Sequence, residues 1–174
     1  MRTRLPLLSF ALVLSGCASY GSNVAGGAPT SAVATVRDAG GRELGTLTLS
    51  ESSAGLATTG TLYHLAPGPH GIHLHTVGRC DGSFASAGGH WNPTMHQHGF
   101  DNPMGPHVGD MQNIVAGSDS SVVVNVSTRG GILRGTNGLL DADGAAVVVH
   151  AGPDDYRTDP AGNSGARIGC GVIR

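Results

Sequence analysis

Apolar and polar positions alternate along most of the chain, in short runs broken by turn residues. "AVATVR" (32–37) and "ELGTLTLS" (43–50) flank "DAGGR" and read as a hairpin. "LATTGTLYHL" (56–65) is a third strand. "PGPHG" punctuates, and "IHLHTV" (72–77) is a fourth. "NIVAG", "SVVVNVS", "GAAVVVH" and the terminal "CGVI" complete the set. No stretch holds a helical period over ten or more residues. The pattern predicts an all-β domain: an immunoglobulin-like Greek-key barrel or sandwich of about eight antiparallel strands, spanning residues 31–174. Composition agrees, with 29 Gly and few aromatics in 174 residues, enough for one domain.

Two connections are too long for that plan. Residues 77–113 and 151–168 show neither strand nor helix periodicity, yet are not compositionally disordered. Loops beyond about 12–15 residues are uncommon unless functional or disordered. These two hold Trp91 and most of the remaining histidines. Their order is expected to come from a disulfide and a metal.

The first residues do not follow the strand pattern. "MRTR" and "LPLLSFALVLSG" have the basic and apolar regions of a secretory signal. The segment ends in Leu14, Ser15, Gly16 and Cys17, which resembles the lipobox of bacterial lipoproteins. The expected organisation is a signal peptide over 1–16, a lipidated Cys17, and a flexible tether over 17–30. This places the domain on the periplasmic side of a bacterial envelope. Ala18 is not the Asp that commonly marks inner-membrane retention, so the outer membrane is favoured.

With Cys17 lipidated, Cys80 and Cys170 remain, an even number in an exported protein, and a disulfide is expected. Losing Arg2 and Arg4 leaves eight arginines against twelve carboxylates, with no Lys. A net acidic domain without a basic run gives no support for nucleic-acid binding.

The chain has nine histidines. His73 and His75 flank Leu74 and share one face of a strand, with Leu74 expected on the apolar side. His90, His98, His107 and Asp110 fall in the long loop, and His150 ends "AVVVH". Singly, each reads as a solvated residue. Together they form a donor set. Imidazole suits copper and zinc, and three His with one Asp make a tetrahedral zinc set. Seven ligands serve two four-coordinate metals if one imidazole is shared.

The segments "HGIHLH", "GGHWNP", "HQHGF", "PHVGDM", "VVVH" and "GARIGCGVI" resemble, in order, the signature segments of copper–zinc superoxide dismutases, especially the bacterial periplasmic branch. The resemblance runs from about Gly71 to Arg174. It implies copper held by His73, His75, His90 and His150, and zinc by His90, His98, His107 and Asp110, with His90 bridging. It implies a Cys80–Cys170 disulfide, Arg167 beside copper guiding the superoxide anion, and Asp154 joining a copper His to a zinc His. His70 is implied as a support beneath copper, on the turn before the strand. The implied reaction converts two superoxide anions to dioxygen and hydrogen peroxide as copper cycles between its two oxidation states.

His96 competes with His98 as a zinc ligand. Gly99 follows His98 and fits the family's pattern, so His98 is preferred and His96 read as a surface residue. His64 is read as structural or solvated. Many family members steer superoxide with Lys, which is absent here; Arg157 and Arg79 are the candidate substitutes. Asn125, Val126 and Ser127 match a glycosylation acceptor by chance. The alternative function is a non-catalytic copper- and zinc-binding periplasmic lipoprotein. A zinc hydrolase is disfavoured, because the only Glu residues, Glu43 and Glu51, precede the cluster. The resemblance implies a monomer or a homodimer, since bacterial family members include both.

Overall fold

The structure is a computed structural model and describes residues 30–174. The signal peptide, Cys17 and the tether up to residue 29 lie outside the described residues. Among the described residues nine strands are present: β1 (Ser31–Arg37), β2 (Glu43–Ser52), β3 (Gly55–Tyr63), β4 (Gly68–His70), β5 (Ile72–His75), β6 (Ile114–Ala116), β7 (Ser121–Ser127), β8 (Ala145–His150) and β9 (Arg167–Ile173). Among the described residues the one helical element is a short 3-10 turn at Ala85–Ala87.

Seven strands form one antiparallel sheet in the order β5-β8-β9-β1-β2-β3-β7. The other two, β4 and β6, pair with each other. β4 runs into β5 across Gly71, and β6 leads into β7 through a four-residue turn. The small ladder therefore ties the two edge strands together and closes the curled sheet. Pairings between strands distant in sequence, β3 with β7, β5 with β8 and β1 with β9, supply the Greek-key connectivity.

Alternation builds the core as expected. Ala32, Ala34 and Val36 of β1 point inward, and the residues between them are exposed. In β2 the alternation slips. Leu44 and Leu47, three apart, are both buried, because the register with β1 shifts between Val36 and Arg37. Such a bulge inserts one residue and bends the strand.

β8 is buried along its whole length. Ala145, Val147 and Val149 face the barrel core. Ala146 and Val148 face outward, into a second cluster with Phe84, Ala87 and Cys170. That cluster forms because the first part of the β5–β6 connection straps the outside of the sheet. The Cys80–Cys170 disulfide fastens it, with Cα atoms 5.7 Å apart.

Three expectations need correction. His70 does not sit on a turn; it ends β4, a strand whose Pro69 and short length hid it. β9 begins at Arg167, so Arg167 and Ile168 belong to the strand, not to the preceding loop. A third long connection, residues 128–144, joins β7 to β8. Leu133 and Leu139 bury completely there, and the Leu133 amide donates to the Glu51 carboxylate at 2.6 Å.

Candidate metal centre

β5 is an edge strand, and edge strands present unpaired backbone groups. One side pairs with β8. The other is taken up by two pieces of loop. The Leu74 amide donates to the Gly109 carbonyl at 2.9 Å, and the Trp91 amide donates to the Leu74 carbonyl at 2.7 Å. These bonds set His90 opposite His75 and Asp110 opposite His73. On the β8 side the His150 amide donates to the Gly71 carbonyl at 2.9 Å. Backbone pairing alone thus gathers His73, His75, His90, Asp110 and His150, while Leu74 turns into the core.

The ring nitrogens sort into two sets. His73 Nδ1, His75 Nε2, His90 Nε2 and His150 Nε2 are buried and have no hydrogen-bond partner. Buried polar atoms are almost always paired, so four orphans of one chemical kind need a common explanation. These four residues offer ligand atoms within 4.8 Å of one another. The opposite nitrogens are all occupied: His73 Nε2 by Asp154 Oδ2 at 2.9 Å, His75 Nδ1 by the Gly88 carbonyl at 3.0 Å, and His150 Nδ1 by the Gly165 carbonyl at 3.3 Å. Each ring is therefore oriented with a lone pair directed at one shared point.

The second set centres on Asp110. Its Oδ1 lies 2.8 Å from His90 Nδ1, 3.0 Å from His98 Nδ1 and 3.3 Å from His107 Nδ1. The three ring nitrogens and the Asp110 carboxylate lie within 4.8 Å of one another, close enough to share one cation. Asp110 Oδ2 is held by the Gly99 and His107 amides, at 2.9 and 3.0 Å. His90 belongs to both sets, through opposite ring nitrogens. The donor sets fit two metals: four nitrogens for copper, and three nitrogens with one carboxylate oxygen for zinc.

Asp154 links the sets. Its Oδ2 meets His73 and its Oδ1 meets His98 Nε2 at 2.9 Å. Asn113 fixes Asp154 in turn: its Nδ2 donates to the Asp154 carbonyl, and its Oδ1 accepts from the Asp154 amide. Beneath, His70 Nδ1 lies 2.8 Å from the His150 carbonyl and His70 Nε2 lies 2.7 Å from the Ala66 carbonyl.

Burial governs the protonation of the first set. It lowers His90 and His150 to about 4, and lowers His73 and His75 from the usual value. All four are neutral near pH 7, with lone pairs free for a metal. His98 moves the other way. Burial opposes its charge, but the Asp110 and Asp154 carboxylates outweigh burial and raise it to about 9. Burial also opposes the charges on Asp110 and Asp154, yet hydrogen bonds from the surrounding histidines hold both carboxyls well below the usual range.

A cleft of about 450 Å³ opens onto this centre, with His90, His107, His150 and Arg167 in its wall. Arg167 donates to the Phe84 and Gly88 carbonyls, each at 2.7 Å. Both carbonyls lie on the strap that the disulfide fastens. Burial lowers the Arg167 pKa, but a guanidinium remains charged. A larger hollow, about 540 Å³, lies beside the disulfide and Arg37 and has no imidazole in its wall.

The family profile described as "Copper/zinc superoxide dismutase (SODC)" matches residues 43–173. The chain belongs to the copper/zinc superoxide dismutase family. It is 41% identical over 138 residues to "Superoxide dismutase [Cu-Zn] 1" of Aquifex aeolicus, covering 77% of this chain and 82% of that one. It is 36% identical over 185 residues to "Superoxide dismutase [Cu-Zn]" of Deinococcus radiodurans, covering 99% and 96%. A solved SOD-like protein from Bacillus subtilis aligns with a TM-score of 0.78 at 37% identity, over 82% of this chain and 97% of that one. The Cu/Zn superoxide dismutase from Brucella abortus aligns with a TM-score of 0.66 at 30% identity, over 83% and 99%.

As a superoxide dismutase, the chain is an oxidoreductase of a copper- and zinc-dependent family, and it carries both donor sets. The seven residues expected as ligands come together, as do Asp154, His70 and Arg167. His64 and His96 are exposed. Arg157 and Arg79 do not line the cleft; each lies 3.5 Å from an exposed carboxylate, Asp101 and Asp81 respectively. Three residues escaped the sequence reading: Asn113, Tyr156, whose hydroxyl accepts from the Asn113 amide at 2.7 Å, and Gly162, packed on Asp154. Each acts through a neighbour, and no spacing rule marks it.

Proposed function

We propose that this chain dismutes superoxide to dioxygen and hydrogen peroxide, using copper held by His73, His75, His90 and His150 and zinc held by His90, His98, His107 and Asp110. The observation that carries this reading is the group of four orphaned imidazole nitrogens, two of whose rings, His90 and His150, line a cleft that also holds Arg167. Copper, when bound, supplies the one-electron oxidation of one superoxide and the one-electron reduction of the next. The protein residues do the rest. Arg167 provides a fixed positive charge for the anion, held in place by the Phe84 and Gly88 carbonyls. His90 lines the cleft, and its buried Nε2 is the ring atom where a proton for peroxide is best held. Asp154 fixes His73 and His98 together, so the two donor sets keep one geometry.

A storage protein would need neither a charged group in the cleft nor a strap to position it. Arg167→Ile separates the two functions. Its expected result is unchanged copper and zinc content with kcat/KM lower by about 10-fold or more. Unchanged activity would turn the reading toward a metal-binding lipoprotein.

We also propose that Cys17 carries the lipid and holds the domain on the periplasmic side of the envelope, at the outer membrane. Support comes from the "LSGC" tetrad directly after an apolar run and from Ala18. Cys17→Ser should abolish incorporation of labelled palmitate and release the protein from the membrane fraction.

A further inference from the structure

We infer that Met95, His96 and Met104 form a Cu(I)-binding site on the protein surface, at the rim of the metal cleft. Met95 is 90% exposed and Met104 is 64% exposed. Single exposed apolar residues are ordinary. Two thioethers within ten residues, on either side of an exposed imidazole, are a donor set.

Backbone hydrogen bonds order the loop that carries them. The Gln97 amide donates to the Met104 carbonyl at 2.9 Å, so Met104 lies across one hydrogen-bonded rung from the residue after His96. Asn92 grips His96 twice: its Nδ2 donates to the His96 carbonyl at 2.8 Å, and its Oδ1 accepts from the His96 amide at 3.1 Å. His96 Nδ1 lies 3.3 Å from the Pro106 carbonyl. Donation there leaves Nε2 as the free lone pair, the usual way a ligand imidazole is oriented. Asn92 itself lines the cleft, so the site stands at its edge.

The donor chemistry selects the ion. Thioethers are soft, and two of them with an imidazole favour Cu(I) over zinc. Methionine has three rotatable bonds and can close on an ion without moving the backbone. Copper held here would stand at the edge of the cleft that Asn92 lines and would enter the buried centre by ligand exchange, with no electron transferred. That delivery role rests on the copper reading above; the binding does not.

The test is an anaerobic titration with Cu(I) held by bicinchoninate, on protein already loaded with copper and zinc. Elemental analysis beforehand records what the buried centre holds. Wild type should withdraw about one further Cu(I), and Met95→Leu/Met104→Leu should bind it about ten-fold or more weakly, with unchanged dismutase activity and melting temperature. His96→Met should retain binding. The wild-type minus variant difference reads the surface site whatever the buried centre contains. No extra Cu(I) in wild type, or equal uptake by the double variant, overturns the inference.

Discussion

Asp154 can join His73 to His98 because Gly162 has no side chain. A Cβ there would press into the Asp154 carboxylate and stand 2.7 Å from His98 Nε2. Gly162 also has φ +60, which an L side chain adopts reluctantly. Gly162→Ala should therefore displace Asp154 and loosen His98, weakening zinc binding about 10- to 100-fold. Competition against a chromophoric chelator measures this, and unchanged zinc affinity would show that Asp154 does not set the His98 geometry. The preference for His98 over His96 has a similar physical basis. Gly99 has φ +104, and a Cβ on it would collide with the Tyr156 carbonyl, while its amide holds Asp110. The clustered histidines were legible in the sequence because a metal-type donor set demands particular residue types at particular spacings. Gly162 and Asn113 were not, because their work is done through space on residues far away in the chain.

At the scale of elements, the strap over β8 and β9 connects stability to the site. It buries Phe84 and Ala87 against Val148 and presents the Phe84 and Gly88 carbonyls to Arg167. The disulfide that fastens it closes a loop of 90 residues. In the chain-entropy model, closing such a loop stabilises the fold by about 4–5 kcal/mol. Cys80→Ser/Cys170→Ser should thus melt about 10 °C lower or more. Its kcat/KM should also fall while metal content holds, since the strap no longer fixes Arg167. A variant that melts lower but keeps full kcat/KM would confine the disulfide to stability. Long strands were legible from alternation alone. β4 was not, since three residues containing Pro show no period and become a strand only by pairing with β6. The 128–144 connection was hidden for a related reason: its buried leucines, Leu133 and Leu139, sit among glycines without strand spacing.

Over the whole molecule, charge and protonation set how the enzyme meets its substrate and its metals. The chain carries twelve acidic residues against ten basic ones, and among the described residues lining the cleft only Arg167 is permanently charged. Arg79→Ala and Arg157→Ala should each leave kcat/KM within about two-fold, because both arginines are exposed, beside a carboxylate, and outside the cleft. A larger loss in either would extend the steering field beyond Arg167. The histidines of the two donor sets make the metal-free protein sensitive to pH in two opposite ways. His90 and His150, at about 4 when folded, titrate near 6.5 when unfolded. Between those values the unfolded chain binds more protons, so stability falls as the pH drops from about 6.5 toward 4. His73 and His75, also lowered, add to that loss. His98, raised to about 9, contributes stability that is complete below about 6.5 and is lost as the pH rises through about 9. The metal-free melting temperature should therefore peak near pH 6.5 and decline on both sides. Zinc held as proposed would need the His98 Nδ1 lone pair, so its uptake at pH 7 should release about one proton and abolish the alkaline decline. Melting curves from pH 4 to 9.5, with and without zinc, together with calorimetry in buffers of different ionisation enthalpy, read both effects. A metal-free melting temperature that climbs steadily from pH 6.5 to 9 would show that His98 is not held as a cation between its two carboxylates.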